Sequence, residues 1–473
     1  MTDPLVVVGG DAAGMSAASK CKRDSPETDV LVFEKGEWVS YGACGLPYYV
    51  KGEIRELDDL VSVTAEEFRE ERDVDLRTNH EVVAIDTEAR TVTVDSPDGT
   101  FDQPYEDLLV STGARAVEPP FEGMDLDGVF TLHSMESARD VRAYLHEDAE
   151  WLAAETGSGY GETVHEYAAM ESPDAVAVVG GGYIGIEMAE AFAAHDHEVH
   201  VFEMLPTLLQ PFGEAAADVV AEHLRDQGVH VHLNTAVESF EGDACVRSIR
   251  TDSGSFDVDM ALVGVGVAPN AELAEAAGID LGETGAISVD DYGRTSAAHV
   301  YAAGDCAEAR NLVTGEPDHV PLALPANRAG RAIGQTLAGD PTPTGGIVGT
   351  AVVKAFDLEV ARTGVIDEER AREAGFDPVS VTITDETRAH YYPGGTEIQI
   401  TMVGDRESGT LLGASMVGEE GVSKRIDTVA TALHADMTVS EVEYLDLAYA
   451  PPFSPVWDPV LTAAKVLAGK LEG

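Results

Sequence analysis

The chain has 473 residues, of which 44% are apolar and 25% are charged, and this composition is typical of a folded protein with several domains. It has no apolar run of 18 residues, and its amino terminus lacks a basic segment, so we predict no membrane span and no signal peptide and expect a cytoplasmic protein. The 86 acidic residues outnumber the 30 basic ones and give a formal net charge of −56, which makes nucleic acid a poor partner. We interpret the acidic excess as an adaptation to high intracellular salt, which would screen the repulsion.

The first predicted element is a buried strand, because Leu5–Val8 is an unbroken apolar run. The loop GGDAAG and a helical stretch follow, and a second strand, Val30–Phe33, ends at Glu34. This order is typical of a dinucleotide site, where the helix amino terminus faces the pyrophosphate and the acid binds the ribose. Asp11 departs from the pattern, since a glycine is usual there. The residues predicted to bind a cofactor here are Gly9, Gly10, Asp11, Ala12, Ala13, Gly14, Glu34 and Lys35.

A cysteine-bearing segment, SYGACGLPYY, comes directly after the second strand. Cys44 precedes Gly-Leu-Pro, which is a plausible start of a helix, and a helix amino terminus would favour the thiolate form. The other cysteines, Cys21, Cys245 and Cys306, form no CxxC pair with it or with each other. The spacing therefore predicts neither a disulfide framework nor a metal site.

The dinucleotide pattern occurs a second time, near residue 175. A strand at residues 176–179 leads into GGGYIG and a helix, and a strand at residues 199–202 ends at Glu203. Two dinucleotide sites in one chain suggest a flavin and a nicotinamide, with the flavin at the first site. An acid at the position of Glu203 would repel a 2′-phosphate, so NADH is favoured over NADPH. The stretch at about 146–173 precedes this unit. It is acidic, partly helical in pattern and bears glycine and serine, and we expect an exposed insertion or linker between the two nucleotide domains that is more mobile than its neighbours.

Three further strand-and-turn segments complete the predicted sites. Residues 109–114 and 295–305 each read as a strand that ends in a tight turn, and the second ends in Gly-Asp. Residues 264–270 read as a strand and turn that close the nicotinamide-binding region. These segments add Thr112, Gly113 and Asp305 to the predicted flavin site. The predicted nicotinamide site contains Gly180, Gly182, Tyr183, Ile184, Gly185, Glu187, Glu203 and Gly266.

With two such fingerprints and a cysteine segment after the first, the chain resembles the two-dinucleotide flavoprotein disulfide reductases of the glutathione-reductase superfamily. The resemblance implies an α/β fold with two Rossmann-like domains and a carboxy-terminal α+β dimerisation domain. It places an FAD-binding domain at 1–120 and 276–340 and an NAD(P)H-binding domain at 121–275, with the acidic insertion at about 146–173. Residues 341–473 would form the interface of a homodimer.

The cysteine segment narrows the choice within this superfamily. Most members carry CxxxxC here, whereas this chain has Tyr49 five residues after Cys44 and cannot form that disulfide. A lone cysteine in this context resembles the coenzyme A-disulfide reductases and the related NADH oxidases and peroxidases. The oxidases and peroxidases carry a histidine where this chain has Ala12, which disfavours them. The resemblance thus implies that reduced FAD passes electrons to a mixed disulfide between Cys44 and a substrate thiol.

Other family positions are matched less completely. Tyr391, Tyr392 and Tyr449 match tyrosines that would reach the cysteine of the partner subunit, and a tyrosine hydroxyl can protonate a leaving thiolate. The resemblance also implies that Arg23, Ser40 and His319 contact the substrate. Ala43 replaces an asparagine of the family and Trp457 replaces a lysine, so the substrate could be coenzyme A disulfide, another small disulfide or polysulfide. An NADH oxidase or peroxidase and a non-catalytic redox sensor remain as alternatives.

Overall fold

The computed structural model describes residues 3–145 and 161–472. Among the helices in these two ranges, none is both long and apolar enough to cross a membrane. The described strands, in chain order, are β1 Leu5–Val8, β2 Val30–Phe33, β3 Asp75–Arg77, β4 Glu81–Asp86, β5 Thr91–Ser96, β6 Gly99–Pro104, β7 Asp107–Val110, β8 Ala114–Ala116, β9 Val129–Thr131, β10 Ala175–Val179, β11 Glu198–Phe202, β12 His230–His232, β13 Val237–Glu241, β14 Ser248–Thr251, β15 Gly254–Asp257, β16 Met260–Val263, β17 Val267–Pro269, β18 Val300–Ala302, β19 Ala309–Arg310, β20 Pro317–Asp318, β21 Ala351–Ala355, β22 Leu358–Gly364, β23 Pro378–Glu386, β24 Glu397–Asp405 and β25 Leu411–Gly418.

The described helices alternate with these strands. They are α1 Ala12–Asp24, α2 Leu46–Val50, α3 Ala65–Glu70, α4 Met135–Leu145, α5 Gly161–Ala168, α6 Tyr183–Ala193, α7 Glu214–Asp226, α8 Glu272–Ala276, α9 Ala323–Leu337, α10 Glu368–Glu373, α11 Val422–His434, α12 Val439–Glu443 and α13 Pro459–Glu472. Short 3₁₀ helices lie at Ala43–Gly45, Leu57–Leu60 and Gln210–Phe212.

The first sheet is parallel and has the order β18-β7-β1-β2-β3. The four residues of β1 and the four of β2 are all buried, as expected for strands covered on both faces. Both strands have the bounds that the sequence predicts. Because the strands are parallel, their carboxyl ends meet at one edge of the sheet, and the loops that follow β1, β2, β7 and β18 are gathered there.

The second sheet is also parallel, with the order β12-β11-β10-β16-β9. A separate antiparallel sheet, β13-β14-β15, packs on it, and Phe240 and Ile249 of this small sheet share a buried cluster with Val179 and Phe202. The carboxyl ends of β10, β11 and β16 gather the second glycine loop, Glu203 and Gly266 at one edge.

The described part of the predicted acidic insertion departs from the expected exposure on one face of a helix. Residues 146–160 lie outside the described residues, but Gly161–Ala168 forms α5. Val164 is fully buried, and the ring of Tyr167 lies 4.9 Å from that of Phe130 and 5.8 Å from that of Tyr144. This helix is therefore packed onto the second sheet's domain by aromatic contacts, which outweigh the polar composition of the stretch.

The carboxy-terminal region is an antiparallel sheet, β21-β22-β25-β24-β23, with α11 and α13 against it. All eight residues of β25 are buried, and Ile400 and Met416 share a buried cluster with Val429 and Leu467. The fold is thus the expected one, with two Rossmann-like units and a carboxy-terminal α+β unit.

Candidate active site

The first glycine loop has the close backbone approach that a dinucleotide site requires. Gly9 adopts φ +108°, and a Cβ on Gly14 would lie 2.0 Å from the carbonyl oxygen of Gly9. Side chains at these positions would therefore push α1 away from β1. Glu34 accepts hydrogen bonds from the N–H groups of Gly10 and Gly36, both at 2.7 Å. The carboxylate is thereby fixed beside the loop, where the ribose of a dinucleotide would lie, and the residues present fit FAD.

The second glycine loop repeats this geometry. Gly180 adopts φ +105°, and a Cβ on Gly185 would lie 1.9 Å from the carbonyl oxygen of Gly180. Glu203 accepts hydrogen bonds from the N–H groups of Gly181 and Leu205, both at 2.8 Å. A Cβ on Gly182 would meet no atom within 4 Å, so the space in front of the helix is open to a pyrophosphate. This loop therefore fits a second dinucleotide, NADH or NADPH.

Asp11 gives the first loop a feature that the second loop lacks. Its carboxylate accepts a hydrogen bond from the N–H of Tyr41 at 3.1 Å, at the amino terminus of α1. Burial first, and then the nearby charges of Glu34 and Asp305, raise the pKa of Asp11 to about 7, although its bond to Tyr41 acts in the opposite direction. A carboxyl group that stays neutral up to this pH is compatible with a pyrophosphate next to it.

The remaining flavin candidates lie at the same sheet edge. The hydroxyl of Thr112 donates to the carbonyl of Asn270 at 2.6 Å, and the N–H of Asn270 donates to the carbonyl of Gly113 at 2.9 Å. These bonds tie the turn after β7 to the turn after β17. Burial raises the pKa of Asp305, and His319 places Nε2 2.8 Å from the carbonyl oxygen of Asp305.

Cys44 lies in the 3₁₀ turn Ala43–Gly45, immediately before α2. It is a free cysteine and the residue is exposed, although neighbouring groups partly surround its sulfur. Tyr49, at the position of the missing second cysteine, is fully buried. The expected lowering of the Cys44 thiol pKa is wrong for the polypeptide itself. Partial burial raises that pKa, and the carboxylates of Glu187 and Asp305 add to the effect. The helix α2 has only five residues, so its dipole stabilises a thiolate weakly.

Glu187 links this segment to the second unit. Its Oε1 accepts a hydrogen bond from the hydroxyl of Tyr48 at 3.1 Å. Burial and the neighbouring carboxylate of Glu190 raise the pKa of Glu187 to about 7, although the bond from Tyr48 lowers it. Tyr48 was not among the predicted site residues, because only its place next to α6 in the fold gives it this contact.

The tyrosines predicted to act on the cysteine lie far along the chain and are exposed. The exposed fractions are 67% for Tyr391, 38% for Tyr392 and 60% for Tyr449. Their two segments are adjacent, because the N–H of Ala389 donates to the carbonyl of Pro451 at 3.3 Å. The fold thus brings these tyrosines together on one surface of the carboxy-terminal unit.

The other predicted residues lie at several places. Ser40 has φ +50°, and its N–H donates to the carbonyl of Gly10 at 3.0 Å, so it lies beside the first glycine loop. Lys35 is exposed after Glu34. Arg23 is exposed in the last turn of α1, at the opposite end from the loop. The hydroxyl of Tyr183 accepts a hydrogen bond from Arg362 at 3.2 Å, and Ile184 packs against a buried cluster.

Comparisons with known proteins agree with this geometry. The model of the pyridine nucleotide-disulphide oxidoreductase family matches residues 3–326, and that of its dimerisation domain matches residues 350–459. The chain is 40% identical over 464 residues to the NAD(P)H sulfur oxidoreductase (CoA-dependent) of Pyrococcus abyssi, covering 98% of each chain. It is 30% identical over 454 residues to the coenzyme A disulfide reductase of Staphylococcus haemolyticus, covering 95% of this chain and 96% of the relative.

A solved structure extends the likeness to the fold. The NAD-dependent persulfide reductase from A. fulgidus matches with a TM-score of 0.90 and 38% identity, over 99% of this chain and 84% of that chain. The matches span both glycine loops, the Cys44 segment and the carboxy-terminal unit. The chain therefore belongs to the pyridine nucleotide-disulphide oxidoreductase family and is an oxidoreductase that uses FAD and NAD(P)H.

Proposed function

We propose that this oxidoreductase uses NADH to reduce a low-molecular-weight disulfide, with coenzyme A disulfide as the first candidate, through the single thiol of Cys44. One observation carries the proposal: Cys44 is a free, exposed cysteine, and the buried Tyr49 occupies the position of a second cysteine. The second sulfur of the redox reaction must then come from the substrate.

The proposed reaction balances with one thiol on the protein. The Cys44 thiolate attacks a substrate disulfide, so that one substrate sulfur leaves as a thiolate and the other stays bound to Cys44. When bound, the flavin supplies the transfer of two electrons from the nicotinamide to sulfur. Those electrons cleave the mixed disulfide, which releases the second substrate thiolate and restores Cys44. Each leaving thiolate takes up one proton, and we assign its delivery to the tyrosines of the partner subunit.

The names of the relatives indicate two further substrate classes, persulfides and polysulfides. A sulfur oxidoreductase and a persulfide reductase are among the proteins that this chain matches, as is a coenzyme A disulfide reductase. A persulfide or polysulfide would react with Cys44 by the same attack on a sulfur–sulfur bond. An oxidase or peroxidase is disfavoured because Ala12, which begins α1, carries no group that could assist sulfenic acid chemistry.

The test is a panel of acceptors assayed with the FAD-loaded protein in high salt. We expect the highest kcat/KM with coenzyme A disulfide, and lower values with glutathione disulfide, cystine, polysulfide, peroxide and oxygen. Mass spectrometry of the purified protein should find a thiol adduct on Cys44, and its mass identifies the bound thiol. A higher kcat/KM with polysulfide than with disulfides would contradict the proposed substrate class. Fast turnover with oxygen would contradict disulfide reduction as the reaction.

A pair of variants tests the role of the thiol. We expect Cys44→Ser to keep FAD and the reduction of flavin by NADH, because the glycine loops are unchanged, and to lose disulfide reduction. Cys245→Ser is the matched control, since Cys245 is a partly exposed free cysteine in the NAD(P)H-binding region. Wild-type turnover by Cys44→Ser contradicts the proposal.

A further inference from the structure

A histidine-rich patch lies on the edge of the second sheet, outside the site described above. Glu198 and His200 are two residues apart on β11 and therefore point to the same face. His230 on the edge strand β12 is paired directly with His200, and His232 follows two residues later on the same face. Four groups able to bind or support a metal ion are thus brought together by two parallel strands.

The distances within this patch suit a coordinated ion. The Nε2 atom of His200 lies 3.2 Å from Oε1 of Glu198, and Nε2 of His230 lies 3.5 Å from the same oxygen. Zinc–nitrogen and zinc–oxygen bonds of about 2.0–2.1 Å in a tetrahedral site imply ligand–ligand separations of roughly 3.3–3.4 Å. The three ligand atoms all lie within 4.8 Å of one another, and the half-exposed side chain of His230 can close the longest gap.

We propose that Glu198, His200 and His230 bind one divalent transition-metal ion of the zinc type. Two imidazoles and one carboxylate are a ligand set that suits Zn²⁺, and a water molecule would complete a tetrahedron. The negative surface charge of the protein also favours the site with a bound dication over the site without one. Without an ion, the carboxylate of Glu198 lies between the two imidazoles. When an ion is bound, this carboxylate and the two imidazoles are its ligands.

His232 supplies the outer-shell partner that metal-binding histidines usually have. Its Nε2 lies 3.1 Å from Nδ1 of His200, on the side of the ring opposite to Glu198. When Nε2 of His200 binds the ion, its proton resides on Nδ1 and is donated to His232, which fixes the ring.

Neighbouring aromatic rings hold the two inner histidines in place. The ring of His200 lies 4.6 Å from that of His230, and the ring of His232 lies 4.7 Å from that of Phe202. Phe256, on the small antiparallel sheet, also packs against His232, and their ring centroids are 4.8 Å apart.

The ion would fasten the edge strand β12 to β11. Glu203 follows the end of β11, so the ligands Glu198 and His200 lie about 17 Å and about 10 Å before it along the extended strand. Only the backbone of His232 is closer, since its carbonyl accepts a hydrogen bond from the N–H of Glu203 at 2.9 Å. Binding there would stabilise the nucleotide domain without contacting the dinucleotide. The expected consequence is a change in stability and not in nucleotide affinity.

The test measures Zn²⁺ binding to the metal-stripped, FAD-loaded protein by competition with a chromophoric chelator. A Cys44→Ser background removes the exposed thiol as a ligand. We expect one Zn²⁺ per chain and a rise in the unfolding midpoint of roughly 2–3 °C at about a hundredfold excess over Kd. Co²⁺ in place of Zn²⁺ should give an absorption spectrum without thiolate bands.

Variants decide whether these residues form the site. His230→Ala and Glu198→Gln should each weaken binding by more than about 100-fold, and His232→Ala by about 10–100-fold, as for an outer-shell partner. The control is His223→Ala, because His223 also lies against a single carboxylate, at 2.6 Å from Asp357, and should leave binding unchanged. Absence of a bound ion, or equal binding by wild type and His230→Ala, overturns the proposal.

Discussion

The hydroxyl of Tyr48 donates a hydrogen bond to Glu187 at 3.1 Å, and this bond joins the helix after Cys44 to the helix of the second glycine loop. The two residues are 139 positions apart in the chain. The pKa of Glu187 is raised to about 7, and its carboxylate in turn raises the thiol pKa of Cys44. The charge of one acid on the nucleotide domain is thereby coupled to the reactivity of the sulfur.

Glu187→Gln should increase the thiolate fraction of Cys44 at neutral and alkaline pH. Loss of the carboxylate removes one negative charge that disfavours the thiolate, so the pH profile of alkylation should shift to lower pH. The measurement is the rate of Cys44 alkylation by iodoacetamide from about pH 6 to pH 10. Glu66→Gln, which removes an exposed carboxylate from α3, is the control and should leave the profile in place. An unchanged profile in Glu187→Gln would contradict the coupling.

Asp11 should make FAD affinity depend on pH. The raised pKa of about 7 means that the folded apoprotein keeps this carboxyl neutral below that pH, and the charged form above it would repel the pyrophosphate. FAD affinity should therefore fall as pH rises through about 7, by about tenfold per pH unit where only the neutral form binds. Fluorescence titration of the apoprotein with FAD measures this.

Asp11→Asn provides the comparison, because asparagine keeps the oxygen that accepts from Tyr41 and cannot ionise. Its FAD affinity should not change over the same range. The variant should also be more stable above about pH 4, since a folded pKa raised from 3.8 destabilises the wild type increasingly up to about pH 7 and by a constant amount beyond it. A parallel fall of affinity in both proteins would assign the pH dependence to another group.

The sequence predicts the parts of this fold that depend on short-range patterns. The strands Leu5–Val8 and Val30–Phe33 have the predicted bounds, because a buried parallel strand is a continuous apolar run that a glycine loop or an acid ends. The strand β10 begins one residue earlier than predicted, at Ala175, where pairing with Glu198 extends it. Glu34 and Glu203 each follow the end of such a strand, and this position places each carboxylate beside its glycine loop.

Long-range contacts account for what the sequence does not reveal. The bond between Tyr48 and Glu187 and the patch around His200 both require elements that meet only in three dimensions. The thiol pKa of Cys44 depends on how much of the group is buried and on acids from two other segments, and no local motif encodes these. The packing of α5 depends on Phe130 and Tyr144 from earlier in the chain.

Glu203 should give a preference for NADH. Both of its oxygens are fixed by backbone N–H groups, and a 2′-phosphate at the ribose would be placed against this carboxylate. We expect kcat/KM to be at least about tenfold higher with NADH than with NADPH, which corresponds to about 1.4 kcal/mol. The two cofactors are compared at saturating disulfide. Glu203→Ala should lower the ratio of kcat/KM with NADH to kcat/KM with NADPH. A preference of the wild type for NADPH would show that a group other than Glu203 determines cofactor specificity.

The acidic surface should make stability rise with salt. The accessible surface of 21082 Å² carries a formal charge of −56, or about 380 Å² per uncompensated charge. Repulsion at this density is weakened when the Debye length falls from about 10 Å at 0.1 M salt to about 3 Å at 1 M. The unfolding midpoint should rise by at least about 5 °C over that range of KCl. An unfolding midpoint that stays constant or falls would contradict the interpretation of the acidic surface as an adaptation to high salt.

The tyrosines that serve Cys44 should come from the partner subunit of a homodimer. Tyr391 and Tyr449 are exposed in the unit that matches the dimerisation domain, together with Phe453 at 78% and Trp457 at 50% exposure. Large exposed apolar side chains gathered in this way are typical of a surface that a partner covers. We therefore expect a homodimer in which Tyr449 of one subunit serves Cys44 of the other.

Mixed dimers of one inactive and one impaired variant test this arrangement directly. Cys44→Ser should lose disulfide reduction, and Tyr449→Phe should lower kcat, because a phenyl ring cannot protonate the leaving thiolate. In a dimer with one subunit of each variant, a shared site pairs the intact Cys44 of one chain with the intact Tyr449 of the other. About half of the wild-type activity should then return, measured on mixed dimers isolated with two different affinity tags. If each site belonged to a single chain, no mixed dimer would contain an intact site, and activity would stay at the level of the Tyr449→Phe subunit alone.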